Sequence, residues 1–221
     1  MDLRRRRGIG SAVLAAAVVV VVVAAVATAF VIDHGASTSG TTTLPSTTSG
    51  TPSLSGLLLS VTVNSSTLAP GHGEALTVKD TNTLSTPLNM SRAANWPFTG
   101  LATGPCGALN QPVGLAVVEG NYDLSNVSSA TPLQLYAPGA YPCAMALAGI
   151  QSYLFQPTSD NATIYGGCTP SGDCGNETVS ATVSVRGYYP GASLTSFPAG
   201  VYTVVAGDEW GDIVVSHFVV N

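Results

Sequence analysis

The sequence predicts an all-β protein, an antiparallel β-sandwich behind one N-terminal transmembrane helix. Three observations predict this class. An uninterrupted apolar run occupies residues 12–32, a Ser/Thr-rich tract follows it, and the remaining chain repeatedly alternates apolar with polar side chains. Such alternation is typical of strands with one buried and one solvated face. We therefore expect a basic cytoplasmic tail at 1–11, a signal anchor at 12–32, a stalk at 33–56 and a β-sandwich ectodomain at 57–221.

The apolar run has the length of a membrane span. At 1.5 Å per residue, a helix over 12–32 is about 31 Å long, which matches the hydrocarbon core of a bilayer. Four arginines at 4–7 precede it. Because cytoplasmic flanks are enriched in positive charge, we expect a single-pass protein of the cell membrane with its N-terminus inside and its ectodomain outside.

Three fates are open for this segment, and each gives a different mature N-terminus. An uncleaved signal anchor, which the length of the run favours, begins at Met1. Cleavage at the ATA sequence of 27–29, which has the A-x-A form of a signal-peptidase site, gives a secreted chain beginning near Phe30. The basic leader before Ile9 also resembles that of archaeal type IV pilins, which implies a filament core. The glutamate often found five positions into a pilin helix is Val13 here.

The tract that follows is a spacer with many hydroxyl groups. Residues 35–56 are mostly Ser and Thr, with Gly and two prolines. Such a segment cannot bury a core, and its composition fits an O-glycosylated stalk or a plain flexible linker. Five N-x-[ST] sequons beyond it predict N-glycosylation, with export of an unmodified chain as the alternative. They are Asn64, Asn89, Asn126, Asn161 and Asn176.

The chain carries few charges. Charged residues make up 9% of it, against about 25% in ordinary soluble proteins. Beyond the anchor the basic residues are Lys79, Arg92 and Arg186. Without a basic patch, the ectodomain is not expected to bind nucleic acid or anionic headgroups. A surface with few carboxylates also changes little with pH, which suits an acidic exterior, although glycan-covered proteins share this bias.

Four cysteines in an exported chain predict two disulfides. Of the three possible pairings we favour Cys168–Cys174, which closes the turn-forming loop CTPSGDC, and Cys106–Cys143. Chain entropy assigns about 2.4 kcal/mol to the short loop and about 3.9 kcal/mol to the long one. Zinc sites use closely spaced cysteine pairs with a second pair or histidines nearby, and that spacing does not occur.

Alternation places strands along the ectodomain. Every second residue of 57–63 is Leu or Val, and 179–186 alternates as cleanly. A helical turn is expected near 144–149. Short strands separated by Gly, Pro and Asn are typical of a β-sandwich. The weaker strand candidates are 75–80, 87–91, 113–118, 132–136 and 152–156.

The C-terminal segment has the clearest elements. Strands at 201–206 and 213–220 flank the turn 207–211, which is a hairpin signal. The last strand is apolar on both faces at 213–215, so we expect it in the middle of its sheet. The Pro-Gly turn, the following Tyr-Thr-Val and the closing Phe-x-Val resemble the final hairpin of Ig-like extracellular domains. Segments 76–88 and 153–159 resemble earlier strands of the same fold.

A wider set of motifs resembles uncharacterised archaeal surface proteins that carry a single N-terminal anchor. The motifs are NWP at 95–97, GPCG at 104–107, YPC at 141–143 and the stretch 202–211. This resemblance spans most of the ectodomain. It implies an Ig-like β-sandwich at the cell surface. It implies no activity, because these proteins are uncharacterised.

The turn of the C-terminal hairpin combines carboxylates with an aromatic residue. Asp208, Glu209 and Asp212 would suit a calcium ion, but a solvated turn explains them as well, and we favour that interpretation. Trp210 is expected to fold back onto the sheet rather than to stand exposed. Trp96 and Phe98 are expected to pack in a loop beside Cys106.

No pattern indicates catalysis or a cofactor. Neither H-E-x-x-H, nor G-x-S-x-G, nor the Cys, His and Met spacing of type 1 copper occurs. Of the three histidines, His217 alternates within a strand and is expected to be a satisfied core or interface residue. The other two are His34, at the membrane exit, and His72, in a Gly-rich turn.

These expectations define a non-enzymatic, glycosylated surface protein with a structural, adhesion or binding role and with protein or glycan partners. The alternative is a filament subunit, either pilin-like or donating strand 57–64 to a neighbouring sandwich. A less favoured alternative is an extracellular hydrolase or metal carrier. That class would need a cleft in which a histidine and a carboxylate converge.

Overall fold

The computed structural model describes most of residues 57–221 and a short segment before them. The described residues are 45–50, 56–107, 111–139, 151–157, 165–168 and 179–221. The predicted anchor at 12–32 and the predicted helical turn at 144–149 lie outside them. No helix within the described part is long and apolar enough to cross a membrane. The anchor therefore stays a prediction.

The described chain is built from strands. It forms thirteen strands and one short 3-10 turn at Val127–Ser129. In chain order the strands are β1 (Ser46–Ser49), β2 (Leu57–Val63), β3 (Thr67–Leu68), β4 (Glu74–Asn82), β5 (Leu88–Ser91), β6 (Val113–Glu119), β7 (Ser152–Phe155), β8 (Tyr165–Cys168), β9 (Ser180–Val185), β10 (Gly187–Tyr188), β11 (Thr195–Ser196), β12 (Gly200–Asp208) and β13 (Ile213–Val220).

Two four-stranded sheets form the body of the domain. Sheet A has the order β1-β2-β4-β9, and all of its pairs are antiparallel. Sheet B has the order β3-β13-β12-β6, with two antiparallel pairs and with β3 parallel to β13. A smaller sheet, β5-β7-β8, and the pair β10-β11 complete the described part. The predicted all-β class with antiparallel sheets is confirmed.

The main core lies between sheets A and B. Strand β2 packs against β12 and β13, and β4 packs against β6. The alternation seen in the sequence accounts for this, because every second residue of β2 and of β4 is buried. Burying one Val or Leu side chain contributes about 1.5–3 kcal/mol. Sheet B supplies Leu115, Val117, Tyr202, Val204 and Phe218 to the same core.

Sheet B is covered on its other face as well. A second cluster joins Ala116, Val118 and Val205 of the sheet to Phe98 and Leu101 of the preceding loop. Consequently six successive residues of β6 are buried, where a strand with one wet face would alternate. Trp96 packs against this cluster, so the expectation that the loop beside Cys106 is packed is confirmed for its aromatic residues.

The structure differs from the expectations at the start of the domain. Ser46–Ser49, within the segment predicted to be a stalk, pairs with β2 along its whole length. The Thr47 and Thr62 hydroxyls lie 2.9 Å apart across this pair. A polar Ser/Thr strand can close a sheet edge, since pairing uses backbone groups and its side chains need no core. Sheet A therefore begins before residue 57.

One prediction about sheet B is confirmed, and one about its neighbourhood is wrong. β13 lies between β3 and β12, as expected, although β3 pairs with only two of its residues. β12 is buried along most of its length. The apolar run at 213–215 is explained by the second cluster, against which Ile213 and Val215 pack. Segment 132–136 forms no strand. Leu133 N–H donates to Val117 O at 2.8 Å, but Pro132 lacks the N–H that would extend a ladder.

Candidate functional site at the end of the β12–β13 hairpin

The turn between β12 and β13 is fixed by one carboxylate. Oδ1 of Asp208 accepts hydrogen bonds from the backbone N–H groups of Trp210, Gly211 and Asp212 at 2.8–2.9 Å. Gly211 has φ 107°, a left-handed conformation that favours glycine. An Asp at the start of such a turn is favoured because its side chain satisfies the following N–H groups. The sequence DEWGD therefore encodes its own turn.

Glu209 points away from this turn and is neutralised by an arginine. Its carboxylate accepts hydrogen bonds from Arg92 Nε at 2.9 and 3.1 Å and from the Ala93 N–H at 3.0 Å. Glu209 is fully buried, whereas the Arg92 side chain is 32% exposed. Burial raises the pKa of Glu209 above its ordinary value, while the Ala93 N–H and the Arg92 charge lower it again. Arg92–Glu209 is the one ion pair found among the described side chains.

Trp210 closes the end of the sandwich. Its indole Nε1–H donates to Ser91 O at 2.8 Å. Its ring meets those of Tyr153 and Phe155 edge-on, with centroids 6.0 and 5.6 Å away. Such edge-to-face pairs are worth about 0.5–1.5 kcal/mol beyond area burial. The expectation that Trp210 folds back is confirmed, and the contacts tie the β5-β7-β8 sheet to the hairpin.

A third carboxyl reaches this region from the opposite sheet. Asp80 lies on the inward face of β4 and is fully buried, as is Asp208. Burial raises the pKa of Asp80 well above its ordinary value of 3.8, and the charges of Asp208 and Asp212 raise it further. Burial also raises the pKa of Asp208 to about 6, although the backbone N–H groups of the turn offset part of the effect. Oδ2 of Asp208 is buried without a hydrogen-bond partner among the described groups.

The expectation of a solvated turn is wrong for Asp208 and Glu209, and the described side chains form no calcium cage. Asp208 and Glu209 are both fully buried, because the first organises the turn and the second meets Arg92. A hard cation needs several oxygen ligands converging on one point. No group of three or more carboxylate, His or Cys side chains suited to a metal ion exists within the described part.

The histidines contribute little to this region. His217 Nε2 lies 2.8 Å from Tyr122 O, so it is a satisfied interface residue between β13 and the loop that covers sheet B, as expected. His72 is exposed in the turn before β4. His34 lies outside the described residues.

Three of the five predicted glycosylation sites are accessible. Asn64, at the end of β2, Asn89, in β5, and Asn126, before the 3-10 turn, are all exposed. The side-chain oxygen of Asn126 accepts the Asp123 N–H at 2.9 Å, and this bond does not use the amide nitrogen that a glycan would modify. Asn161 and Asn176 lie outside the described residues. Modification of all five stays a prediction.

Of the four cysteines, only Cys106 has a described side chain. Cys106 is disulfide-bonded, and its partner falls outside the side chains that the structure describes. Cys143 and Cys174 lie outside the described residues, and Cys168 closes β8. The pairings Cys106–Cys143 and Cys168–Cys174 therefore stay predictions.

A cleft of about 190 Å³ lies beside Cys106. Two segments line it, 100–107 and 133–136, and the side chains that they contribute include Leu101, Leu133, Gln134, Leu135 and Tyr136. Neither a histidine nor a carboxylate lines it. This cleft does not supply the convergence that a hydrolase or metal carrier would need.

No protein-family model matches the chain, and a search of the curated proteins finds no relative.

Proposed function

We propose that this chain is a membrane-anchored, glycosylated cell-surface protein whose Ig-like β-sandwich has a structural, adhesion or binding role without enzymatic activity. The observation that carries the proposal is the strand order of the two main sheets. That order places β2, β4 and β9 on one sheet and β6, β12 and β13 on the other.

The strand order corresponds to that of immunoglobulin domains. In those domains strands A, B and E share one sheet, and strands C, F and G share the other. In chain order, β2, β4, β6, β9, β12 and β13 take the places of A, B, C, E, F and G. The Greek-key crossings between the sheets occur at the corresponding connections. This correspondence supports the Ig-like fold that the hairpin motif suggests.

A tyrosine at the start of β12 strengthens the correspondence. The Tyr202 hydroxyl donates to Pro198 O, four residues upstream, at 2.9 Å. Ig domains carry a tyrosine corner near the start of strand F, in which the hydroxyl bonds backbone a few residues upstream. Tyr202 also stacks on Phe218 of β13, with centroids 5.2 Å apart. The same residue thus closes the corner and joins the core.

The filament alternative by strand donation has less support. It requires a sandwich that lacks a strand and accepts one from a neighbouring subunit. Strand β2, the proposed donor, is paired with β1 on one side and with β4 on the other. Leu57, Leu59, Val61 and Val63 of this strand are buried in the chain's own core. The tethered domain is therefore the function that we propose.

The location can be tested through a single amino group. Lys79 is the only lysine of the chain, and it lies on the outer face of sheet A. A membrane-impermeant amine-reactive biotin reagent applied to intact native cells should label the peptide that contains Lys79. The matched control, Lys79→Arg, should abolish that label. Labelling only after the cells are lysed would contradict the proposed location.

The form of the anchor is tested by the mass of the N-terminal peptide. A membrane-fraction chain beginning at Met1 supports the uncleaved anchor. A start at Ile9 would instead make the chain a pilin-like subunit, and a start near Phe30 would make it a secreted protein. Both of those outcomes overturn the tethered form, and they leave the sandwich itself untouched.

Glycosylation is tested by intact mass. The polypeptide has a mass of 22.3 kDa, and occupied sequons should raise the mass of the native protein above it. Asn64→Gln, Asn89→Gln and Asn126→Gln should each remove one increment, since all three side chains are exposed. Asn121→Gln is the matched control, because that exposed asparagine has no sequon. A native protein of unmodified mass would contradict this part of the proposal.

A further inference from the structure

Strand β9 is an edge strand of sheet A whose outer side is open. Its partner strand is β4, with which it pairs from Ser180 to Val185. No other described strand pairs with β9, and no described loop exchanges a backbone hydrogen bond with residues 180–185. An edge strand presents a row of N–H and C=O groups to which another chain can add a strand. Within the described part, β9 is therefore available for strand pairing.

The β6 edge of sheet B is covered where β9 is open. Ala102 exchanges two backbone hydrogen bonds with Leu115, at 2.9 and 3.1 Å. The Leu133 N–H donates to Val117 O at 2.8 Å. Because these loop contacts occupy groups at the edge of β6, a strand from another molecule cannot reach them.

The sequence of β9 contains none of the devices that usually protect an edge. Natural edge strands are blunted by charged side chains, by proline, by bulges or by very short length. Ser180–Val185 is six residues long and contains neither a charged residue nor a proline. Each of its residues has one partner in β4, so the strand contains no bulge. The opposite edge strand, β1, has four residues and follows Pro45. β9 is thus the edge of sheet A better suited to pairing.

A row of threonines crosses the outer face of sheet A and ends at this open edge. The row consists of Thr47, Thr62, Thr77 and Thr182, each directly opposite the next. The hydroxyls of the first two and of the last two lie 2.9 Å apart. Cross-strand threonine pairs of this kind stabilise a sheet. A strand added at β9 would extend the row if it brought a hydroxyl opposite Thr182, which is exposed.

β9 itself supplies such a strand, because its sequence is self-complementary. When a second copy of β9 runs antiparallel with Thr182 opposite Thr182, Ser180 lies opposite Ser184 and Ala181 lies opposite Val183. Every polar position of 180–184 then faces a hydroxyl, and every apolar position faces an apolar side chain. No like charges meet, since the strand is uncharged. An isologous two-fold interface requires this match of a surface with itself.

We propose that β9 is a self-association strand, through which two copies of this chain join by antiparallel β9–β9 pairing centred on Thr182. Sheet A then continues from one copy into the other, which is the geometry of strand addition at a sheet edge. The proposal names a second copy of the chain as the protein partner of the binding role proposed above, and it rests on that role. It requires neither glycosylation nor a particular form of the anchor.

The experiment places one cysteine at the centre of the proposed pair. Opposed residues of an antiparallel pair have Cα atoms about 4.5–5.5 Å apart, within the range of about 4.4–6.8 Å that a disulfide spans. Full-length Thr182→Cys, purified in nonionic detergent and mildly oxidised, should form a disulfide-linked dimer, with the peptide around residue 182 linked to itself. The matched control is Thr62→Cys, which lies in the same row but is flanked by β1 and β4. Thr182→Cys should give at least about tenfold more linked dimer than this control.

Two serines of β9 test the register of the pair. Residue 180 of one copy would lie about 13 Å along the strand from residue 180 of the other, which is too far for a disulfide. Ser180→Cys should therefore not link to itself, whereas an equimolar mixture of Ser180→Cys and Ser184→Cys should form the linked dimer. Self-linking of Ser180→Cys as strong as that of Thr182→Cys would overturn the proposed pairing.

A charge at the centre tests the dimer without an added cysteine. Thr182→Lys places two like charges opposite each other, which destabilises a strand pair. Light scattering should show a dimeric wild type and a monomeric variant, with an unchanged urea midpoint because the side chain is exposed.

Three results would overturn the proposal. A dimer that persists in Thr182→Lys would show that the anchor or another surface holds the copies together. A monomeric wild type would contradict the pairing directly, as would Thr182→Cys linking no more than Thr62→Cys. Labelling of Lys79 on intact cells is measured separately, so a failure of the pairing and a failure of the proposed location are distinguishable.

Discussion

The ion pair between Arg92 and Glu209 gives the sharpest single test of how the hairpin is held. Arg92→Met removes the guanidinium but keeps most of the aliphatic stem, so it isolates the charge from the packing. Glu209 is then left fully buried with the Ala93 N–H as its remaining side-chain hydrogen bond. We expect the variant to remain folded at neutral pH but to be markedly less stable.

The magnitude follows from the burial of the two partners. Removing one partner of a fully buried ion pair costs about 3–5 kcal/mol, because the other charge remains desolvated. Since Arg92 is 32% exposed, water screens part of the interaction, and we expect about 2–3 kcal/mol. For a domain of this size that loss lowers Tm by about 4–12 °C. The cost should shrink in acid, where Glu209 is protonated and needs no counter-ion.

The assay is urea unfolding at about pH 7 and about pH 4, with Glu209→Gln and the double variant completing a thermodynamic cycle. A coupling energy of about 1–2 kcal/mol is expected at neutral pH. The matched control is Lys79→Met, because Lys79 forms no ion pair with a described side chain; it should change stability by less than about 0.5 kcal/mol. The reasoning would be refuted if Arg92→Met changed the unfolding free energy at neutral pH no more than Lys79→Met does. A coupling energy of zero would refute it as well.

Three further outcomes are expected from the described geometry. Tyr202→Phe loses the hydrogen bond to Pro198 O and should cost about 0.5–1.5 kcal/mol in urea unfolding. Gly187→Ala should cost about 1–3 kcal/mol of unfolding free energy in the same assay. A Cβ at this position would lie 2.0 Å from the backbone oxygen of Thr195, which cannot rotate away. An unchanged urea midpoint would contradict this close approach of the two strands. Non-reducing peptide mapping should find Cys106 cross-linked. Cys106→Ser, which removes that cross-link alone, should lower the unfolding free energy by about 4 kcal/mol if the loop to residue 143 is the one closed.

Much of the fold could be predicted from alternation alone. The inward Leu and Val residues of β2 and the turn of the β12–β13 hairpin lie where periodicity and turn chemistry place them. Strand β1 could not be predicted in this way. Its STTS sequence has no apolar face, and it pairs only because the backbone of β2 offers an open edge.

The buried carboxyls of β4 lie on the face that the alternation of apolar residues marks as inward. Glu74, Leu76, Val78 and Asp80 occupy alternate positions of β4 and share one face. Because Leu76 and Val78 face the core, the same alternation predicts that Glu74 and Asp80 face it too. The burial of Asp80 could therefore be predicted from the sequence. What the sequence could not show is that the charges of Asp208 and Asp212 raise the pKa of Asp80, because β4 and β12 are far apart along the chain.

The turn itself is a second example. Asp and Gly in DEWGD predict a turn, and these residue types also favour exposed carboxylates, yet Asp208 and Glu209 are buried. Glu209 is buried because the loop at 92–98 covers it and places Arg92 and the Ala93 N–H against its carboxylate. Contacts supplied by a distant loop leave no periodic trace in either segment.

The edge position of β1 has a mechanical consequence. In a protein held through its N-terminus, a pulling force reaches the domain first at Ser46, which pairs with Val63 at the far end of β2. Four polar residues on an open edge would peel one pair at a time, while the apolar core beneath them stays intact. Release of residues 45–56 would lengthen the tether by up to about 40 Å. The first strand would thus yield under load before the rest of the domain does, and it would limit the force that the core experiences.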